Sequence, residues 1–266
     1  MELLETSVEP LNTILNADEG SPVAVERSEG QSPVLLICEH ASKMIPRSLG
    51  DLGLSEELRS SHIAWDPGAL DVSLFLSQEL DACLIHQRFS RLAYDCNRPP
   101  EADSAIPKQS ETFEIPGNIS ASAEEKQARV DGIYRPFQAA VAQEIVRRKA
   151  TGQPTVLVTL HSFTPVFKGV RRDTEIGILH DTDARLAERL ISSLDRGSGF
   201  VVRRNDPYGP EDGVTHTLIE HGVRNGLQNV MVEVRNDLLA DETSKERVEQ
   251  HLLRAIIESL SAKEIA

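Results

Sequence analysis

The stretch VLLICEHAS, residues 34–42, runs four apolar side chains directly into Cys38, Glu39 and His40. A short unbroken apolar run is the mark of a strand buried on both faces, as in a parallel sheet covered by helices. Such strands ordinarily end in Gly, Asn or Pro, which turn the chain. This one ends in side chains able to hold a metal or a proton. Two later runs repeat the pattern. TVLVTLHSF (155–163) leads into His161, and NVMVEVRND (229–237) carries Glu233 among valines and a methionine.

Outward from these strands, helical patterns alternate with further apolar runs. SEELRSSHI (55–63) opens with Ser followed by Glu, a capping pattern, and reads as a short helix. PGALDVSLFLSQELD (67–81) has apolar residues at helical spacing and precedes a strand-like ACLIHQRF (82–89). Residues 120–152 read as a long helix, acidic in its first turn, basic in its last and stopped by Gly152, with Pro136 imposing a kink or a break. EIGILH (175–180) and FVVRRND (200–206) are two more strands, while 183–195, 215–226 and the last 25 or so residues are helical. Residues 101–119, with Pro107 and Pro116 and no sustained period, form a long loop of the kind that is usually functional or mobile.

This alternation predicts one α/β layered unit over residues 33–266 with a largely parallel sheet. An acidic, turn-rich extension, residues 1–32, precedes it, and its PVAVE run (22–26) could add an edge strand. In open α/β sheets ligands bind beyond the carboxyl ends of the strands. His40, His161 and Glu233 all fall at that edge. Side chains alternate along a strand, so Glu39 and His40 are expected on opposite faces, leaving His40 as the candidate ligand and Cys38 in the core.

Composition narrows the function. Forty-two acidic against 28 basic residues give a net charge of −14. That disfavours a nucleic-acid or anionic-membrane surface, which needs clustered Lys and Arg. A small anionic substrate stays possible where a few arginines reverse the field inside one cleft. The three cysteines, Cys38, Cys83 and Cys96, lie in or beside apolar runs with no CxxC, and read as buried thiols in a reducing compartment. No secretory signal or membrane span is recognisable, so a cytoplasmic location is expected. A homo-oligomer is compatible with this composition.

Asp66, in AWDPGAL (64–70), has two readings. It caps the helix that begins with Pro67, or it joins His40 and His161 as the third ligand of a catalytic zinc, which takes three protein ligands and keeps one open position. In RFSRLAYDCNRPP, Arg91 pairs with Asp95, while Asn97 and Arg98 stand where a two-pronged Arg and an amide could hold a substrate carboxylate. Glu233 is costly in so apolar a strand unless paired or functional, and Arg235, two residues on, is its nearest candidate partner. KGVRRD (168–173) either is a solvated basic turn or brings Arg171 or Arg172 to a second carboxylate. His216 either contacts the acyl group or caps a helix. No GxSxG elbow and no HExxH helix occurs.

Taken in order, EHAS, IAWDPGA, SRLAYDCNRPP, TLHSFTPVF, DPYGPEDGVTHTL and VEVRNDL resemble the N-formylglutamate amidohydrolase family, in particular a bacterial branch of it, over roughly residues 20–260. That family is related to the zinc carboxypeptidases and to the aspartoacylase and succinylglutamate desuccinylase group. The resemblance implies a three-layer α/β/α sandwich around a mixed, largely parallel sheet. It implies one zinc ion held by His40, Asp66 and His161, Asn97–Arg98 binding substrate carboxylate, and Glu233 as general base. The carboxypeptidase HxxE pattern fails, because Lys43 stands three residues after His40, so the carboxylate comes from farther along the chain, from Asp66 or another residue. Better-characterised deformylases open with Pro-His-Ser-Gly where this chain has Glu39-His40-Ala41-Ser42. The implied activity is hydrolysis of an N-acyl amino acid, N-formyl-L-glutamate first, with Arg91 or Arg172 stabilising the oxyanion. The alternative is a catalytically silent binder of acidic or N-acyl amino acids on the same scaffold.

Overall fold

Seven strands form one sheet, and the chain enters it through alternating strands and helices. The computed structural model describes residues 14–197 and 199–260; most of the acidic extension's first half and the last six residues lie outside the described residues. The chain runs β1 (Val23–Glu26), β2 (Val34–Cys38), α1 (Glu56–Ser60), α2 (Ala69–Leu80) and β3 (Cys83–Gln87). A small hairpin, β4 (Gln109–Ser110) with β5 (Phe113–Glu114), leads to α3 (Pro116–Ile119), α4 (Ala123–Arg129) and α5 (Arg135–Thr151). Next come β6 (Val156–Phe163), a second hairpin of β7 (Val166–Phe167) and β8 (Val170–Arg171), and β9 (Ile176–Leu179). The last elements are α6 (Arg185–Asp195), β10 (Val202–Arg204), β11 (Gln228–Arg235) and α7 (Glu242–Ser259).

β3, β2, β6 and β11 run parallel; β1 is antiparallel to β3 at one edge, and β9 is antiparallel to β11 and carries β10. The sheet is mixed and mostly parallel, with helices on both sides, as the α/β/α expectation required. Strand alternation sorts the core into two layers. Leu36, Cys38, Val158, Leu160, Val230 and Val232 pack with α2, α6 and α7. Leu35, Ile37, Leu157 and Met231 face the other way, onto Ile133, just before α5, and Phe137 and Val141 within it. Each such side chain contributes about 1.5–3 kcal/mol on burial, which is why both faces of the central strands are apolar. The three cysteines are free and buried in these layers.

Two helices depart from regular form. The long 120–152 pattern stays helical but widens into a π turn over Val130–Tyr134, just before Pro136 in the first turn of α5. Pro136 lacks an N–H and its ring crowds the carbonyl four residues back, so the ladder is interrupted there instead of breaking. The expected helix at 215–226 is a π turn, Leu218–Gly222, followed by a 3-10 turn, Val223–Asn225. The loop over 101–119 holds the β4–β5 hairpin and α3. Gly177 of β9 permits one close approach: a Cβ there would lie 2.2 Å from the Asp206 carbonyl oxygen, so only glycine lets that carbonyl sit against this strand. Among the described residues no helix is long and apolar enough to cross a membrane.

Two arginines of the α4–α5 layer are fully buried. Arg148 donates to Glu144 Oε1 (2.7 Å) and to the carbonyls of Ser32 (3.0 Å) and Val34 (3.2 Å), tying α5 to the entry of β2. Arg129 donates to Asn118 Oδ1 (2.6 Å) and the Ala93 carbonyl (3.2 Å), and Asn118 in turn donates to Leu92 O and Pro107 O. Arg148→Met is expected to destabilise the protein by about 1–3 kcal/mol, since it takes a fully buried donor from the Ser32 and Val34 carbonyls, while Glu144 keeps Arg147. Urea unfolding measures it; an unchanged midpoint would refute the account.

Candidate active site

The register of three parallel strands puts the polar residues together. Glu233 of β11 pairs with His161 of β6, so the two side chains share a face. Ile37 of β2 pairs with Thr159. Two residues further along, Glu39 falls beside His161. β2 ends at Cys38, however, and Glu39 and His40 lie in a turn. Alternation therefore no longer governs them, and both side chains reach the His161 ring, Glu39 at Nε2 and His40 at Nδ1. Glu39 Oε2 lies 3.1 Å from His161 Nε2, while the His40 ring meets the His161 ring edge-on with centroids 4.9 Å apart.

Three donor atoms converge. His40 Nδ1 and His161 Nδ1 are 3.2 Å apart, and Asp66 Oδ2 lies 3.2 Å from the first and 2.9 Å from the second. All three residues are buried. Two ligands of a tetrahedral zinc, each about 2.0 Å from the ion, lie about 3.3 Å apart. The group could thus hold a divalent metal ion. The capping reading of Asp66 fails: Gly68, in left-handed conformation, occupies the position before α2. The Asp66 carboxylate instead faces the histidines and accepts from the Ser162 amide (3.3 Å) and from Arg91 (3.2 Å).

The outer nitrogens of both rings also meet carboxylates. His40 Nε2 is 2.7 Å from Asp95 Oδ1, matching the Glu39 contact of His161, although the latter lies off the line of a straight hydrogen bond. A carboxylate on the far nitrogen fixes tautomer and ring orientation, so Nδ1 is the atom each ring presents to the centre. Arg91 bridges the system, donating to Asp66 Oδ1 (3.2 Å) and to Asp95 Oδ2 (3.1 Å). Burial opposes charge on Asp95, yet His40 and then Arg91 hold its carboxyl well below the usual range.

Glu233 is only 5 % exposed, and its Oε2 has no hydrogen-bond partner among the described residues. Burial pushes its carboxyl up to about 7. Arg235 does not pair with it. That guanidinium turns to Asp237 (2.8 Å) and Glu175 (3.4 Å), the carboxylates at the strand end, and to the carbonyls of Arg172 and Asp173.

The cavity beside these groups has a volume of about 270 Å³. His40, Asp66, Arg91, Asp95, Asn97, Arg98, His161, Tyr208 and Glu233 line it, together with His62 and Glu111 from the α1–α2 link and the β4–β5 turn. The Asn97 amide is already engaged: it donates to Val214 O (2.5 Å) and accepts from the Thr217 amide (3.0 Å). Arg98 donates to the Gly213 carbonyl. Arg172 and His216 do not line the cavity. Arg172 stacks against Phe163, Phe167 and Tyr208 because three rings offer its guanidinium a better seat than solvent, and Arg171 is exposed on the hairpin. His216 bonds the Tyr134 hydroxyl (2.9 Å) and stacks on its ring. Sequence reasoning passed over Glu39, Asp95 as a histidine partner, and Tyr208. The signal for Asp95 was its place between Arg91 and Arg98; for Glu39, its adjacency to a ligand past the last strand residue.

A buried His-Asp-His group at the carboxyl edge of an α/β sheet, with an unpaired glutamate beside it, defines a hydrolase-like centre. The sequence profile of the N-formylglutamate amidohydrolase family matches residues 32–240, and the chain belongs to that family of hydrolases. It is 50% identical to the gene product Atu2144 of Agrobacterium tumefaciens, with a TM-score of 0.92 over 94% of this chain and 99% of that one. The N-formylglutamate amidohydrolase of Ralstonia eutropha shares the fold, with a TM-score of 0.63 at 18% identity over 90% of this chain and 97% of that one. No curated protein matches the chain.

Asp95→Asn and Glu39→Gln are each expected to weaken divalent-metal affinity about 10–100-fold by freeing a histidine ring to turn. Competition with a chromophoric chelator reads this, and undiminished affinity in both variants would refute the bracing role.

Proposed function

We propose that the protein is a metal-dependent amidohydrolase that cleaves the amide C–N bond of an N-acyl amino acid, with N-formyl-L-glutamate the first substrate to test. The convergence of His40 Nδ1, His161 Nδ1 and Asp66 Oδ2 beside an unpaired Glu233 oxygen carries this reading. Zinc is the metal we favour, although a His/His/Asp set accepts several divalent ions. When bound, such an ion supplies Lewis acidity and lowers the pKa of water to about 7.

The protein's own groups do the rest. Glu233 Oε2 takes a proton from the attacking water as the new C–O bond forms at the acyl carbon. It then delivers that proton to the amide nitrogen as the C–N bond breaks, releasing the acid and the free amine. A carboxyl held near 7 by burial can perform both transfers at neutral pH. The substrate carboxylate goes to Arg98. Of the two arginines lining the cavity, Arg91 already faces two carboxylates, whereas Arg98 is bonded to a neutral carbonyl among the described residues. Asn97 shapes this clamp by holding the 214–217 backbone against it. The catalytic unit spans residues 33–266, with β1 of the extension completing the sheet edge.

Purified with one equivalent of zinc, the protein should release formate, acetate or succinate from the matching N-acyl amino acid in a screen of the three. Glu233→Gln should keep the metal and lose about 10²–10⁴-fold in kcat; near-normal turnover would refute the base. His161→Ala should lose stoichiometric metal by elemental analysis, and a retained equivalent would remove it from the ligand set. Arg98→Ala should raise KM with little change in kcat, and an unaltered KM would refute the clamp.

A further inference from the structure

We infer that Tyr208 is a catalytic residue whose phenolic O–H donates a hydrogen bond to the acyl oxygen in the transition state, with Arg172 behind it as the residue that positions and polarises it. The inference rests on the hydrolase reading above. Arg172 NH1 donates to Tyr208 Oη at 3.0 Å. A guanidinium can only donate, so the phenol oxygen is the acceptor in this bond. The phenolic hydrogen is therefore left for another acceptor. Among the described residues Tyr208 Oη makes no second hydrogen bond, and the side chain lines the cavity that holds Glu233 and Arg91. A substrate oxygen in that cavity is the acceptor it awaits.

The guanidinium is well fixed. Its centre lies 4.7 Å from the Tyr208 ring, 4.6 Å from that of Phe167 and 5.5 Å from that of Phe163. Its backbone carbonyl is held by Arg235, two residues along the strand from Glu233. A positive charge bonded to the phenol oxygen draws electron density from the O–H and makes it a stronger donor. Burial, then the nearby Glu233, raises the Tyr208 phenol, which keeps the proton in place at neutral pH. Gly177, which pairs with Glu233 across β9 and β11, lets the Asp206 carbonyl approach β9 closely, two residues before Tyr208. Arg91 is the other donor near that end, and it is committed to Asp66 and Asp95. The donor is preorganised and its strength is set where negative charge develops, the arrangement that lowers an acyl-transfer barrier.

The test compares Tyr208→Phe, Arg172→Met and the double variant on whichever N-acyl amino acid the zinc-loaded protein hydrolyses. Tyr208→Phe should lower kcat and kcat/KM together by on the order of 10²-fold, with zinc content and KM unchanged, because the contact is made in the transition state. Arg172→Met should cost on the order of 10-fold in kcat, and the double variant should match Tyr208→Phe alone, since Arg172 acts through the phenol. Unchanged kcat in Tyr208→Phe overturns the inference. So does a raised KM with normal kcat, which would make Tyr208 a ground-state binding contact. Fully multiplicative losses in the double variant would overturn the positioning role of Arg172. If the unmodified protein hydrolyses none of the three N-acyl classes, the hydrolase reading fails first, and the two failures are told apart.

Discussion

Arg91 places one guanidinium between two buried carboxylates, and the site depends on that bridge. Asp66 and Asp95 are both nearly sealed from solvent, and two unpaired carboxylates so placed would neutralise or pull apart. With Arg91 on the outer oxygen of each, both stay ionised and their inner oxygens stay aimed at the histidines. Asp66 Oδ2 reaches the point where the two Nδ1 atoms meet, and Asp95 Oδ1 grips His40 from behind. The guanidinium is planar and forked, so it fixes a distance as well as a charge; lysine in its place would supply only the charge.

That bridge works because the sheet has already set the depth of its partners. His161 and Glu233 are in register on neighbouring parallel strands, and neither can move along its strand without carrying the core residues of both faces with it. His40 is the freer element, seated on a turn past the end of β2, and it needs Asp95 to hold its ring. Further out, Asn118 and Arg129 anchor the 92–107 segment to the α4–α5 layer, so the loop that brings Arg91 and Asp95 is braced by buried polar groups and not by its own short-range structure.

The strands, the two-faced core and the three polar residues at the carboxyl edge were legible in the sequence, because burial on both faces leaves unbroken apolar runs and any polar residue within them stands out. The contacts of those residues were less so. Alternation singled out His40 over Glu39, but that rule holds only within a strand, and no local signal marks Cys38 as the last residue of β2 or brings Glu39 to the far nitrogen of His161. Arg172 looked like a ligand for a carboxylate because sequence shows charge and not the three aromatic rings that gather from β6, β7 and the 206–208 segment. His216 was drawn away by Tyr134, 82 residues earlier, and Arg235 by carboxylates at its own strand end. For Arg172 and His216 the outcome depends on neighbours brought from elsewhere in the fold, which spacing along the chain does not encode; for Arg235 it depends on which of two nearby carboxylates, Glu233 or Asp237, the side chain turns to.

The acidic surface sharpens what the cavity has to do. With a net charge of −14, the protein as a whole repels an anionic substrate, though salt confines that repulsion to within about 8 Å of the surface at physiological ionic strength. Inside the cavity the balance is local. Four carboxylates line it, those of Asp66, Asp95, Glu111 and Glu233, and their nearest cations are already engaged with them or absent. Glu233 Oε2 has no hydrogen-bond partner among the described residues, and burial shifts its carboxyl toward the neutral form, so it adds little repulsion to an anion in the cavity. In the proposed clamp Arg98, bonded to a neutral carbonyl among the described residues, is the guanidinium open to a substrate carboxylate. On that proposal an anion is selected by where its charge can be placed and not by attraction at a distance.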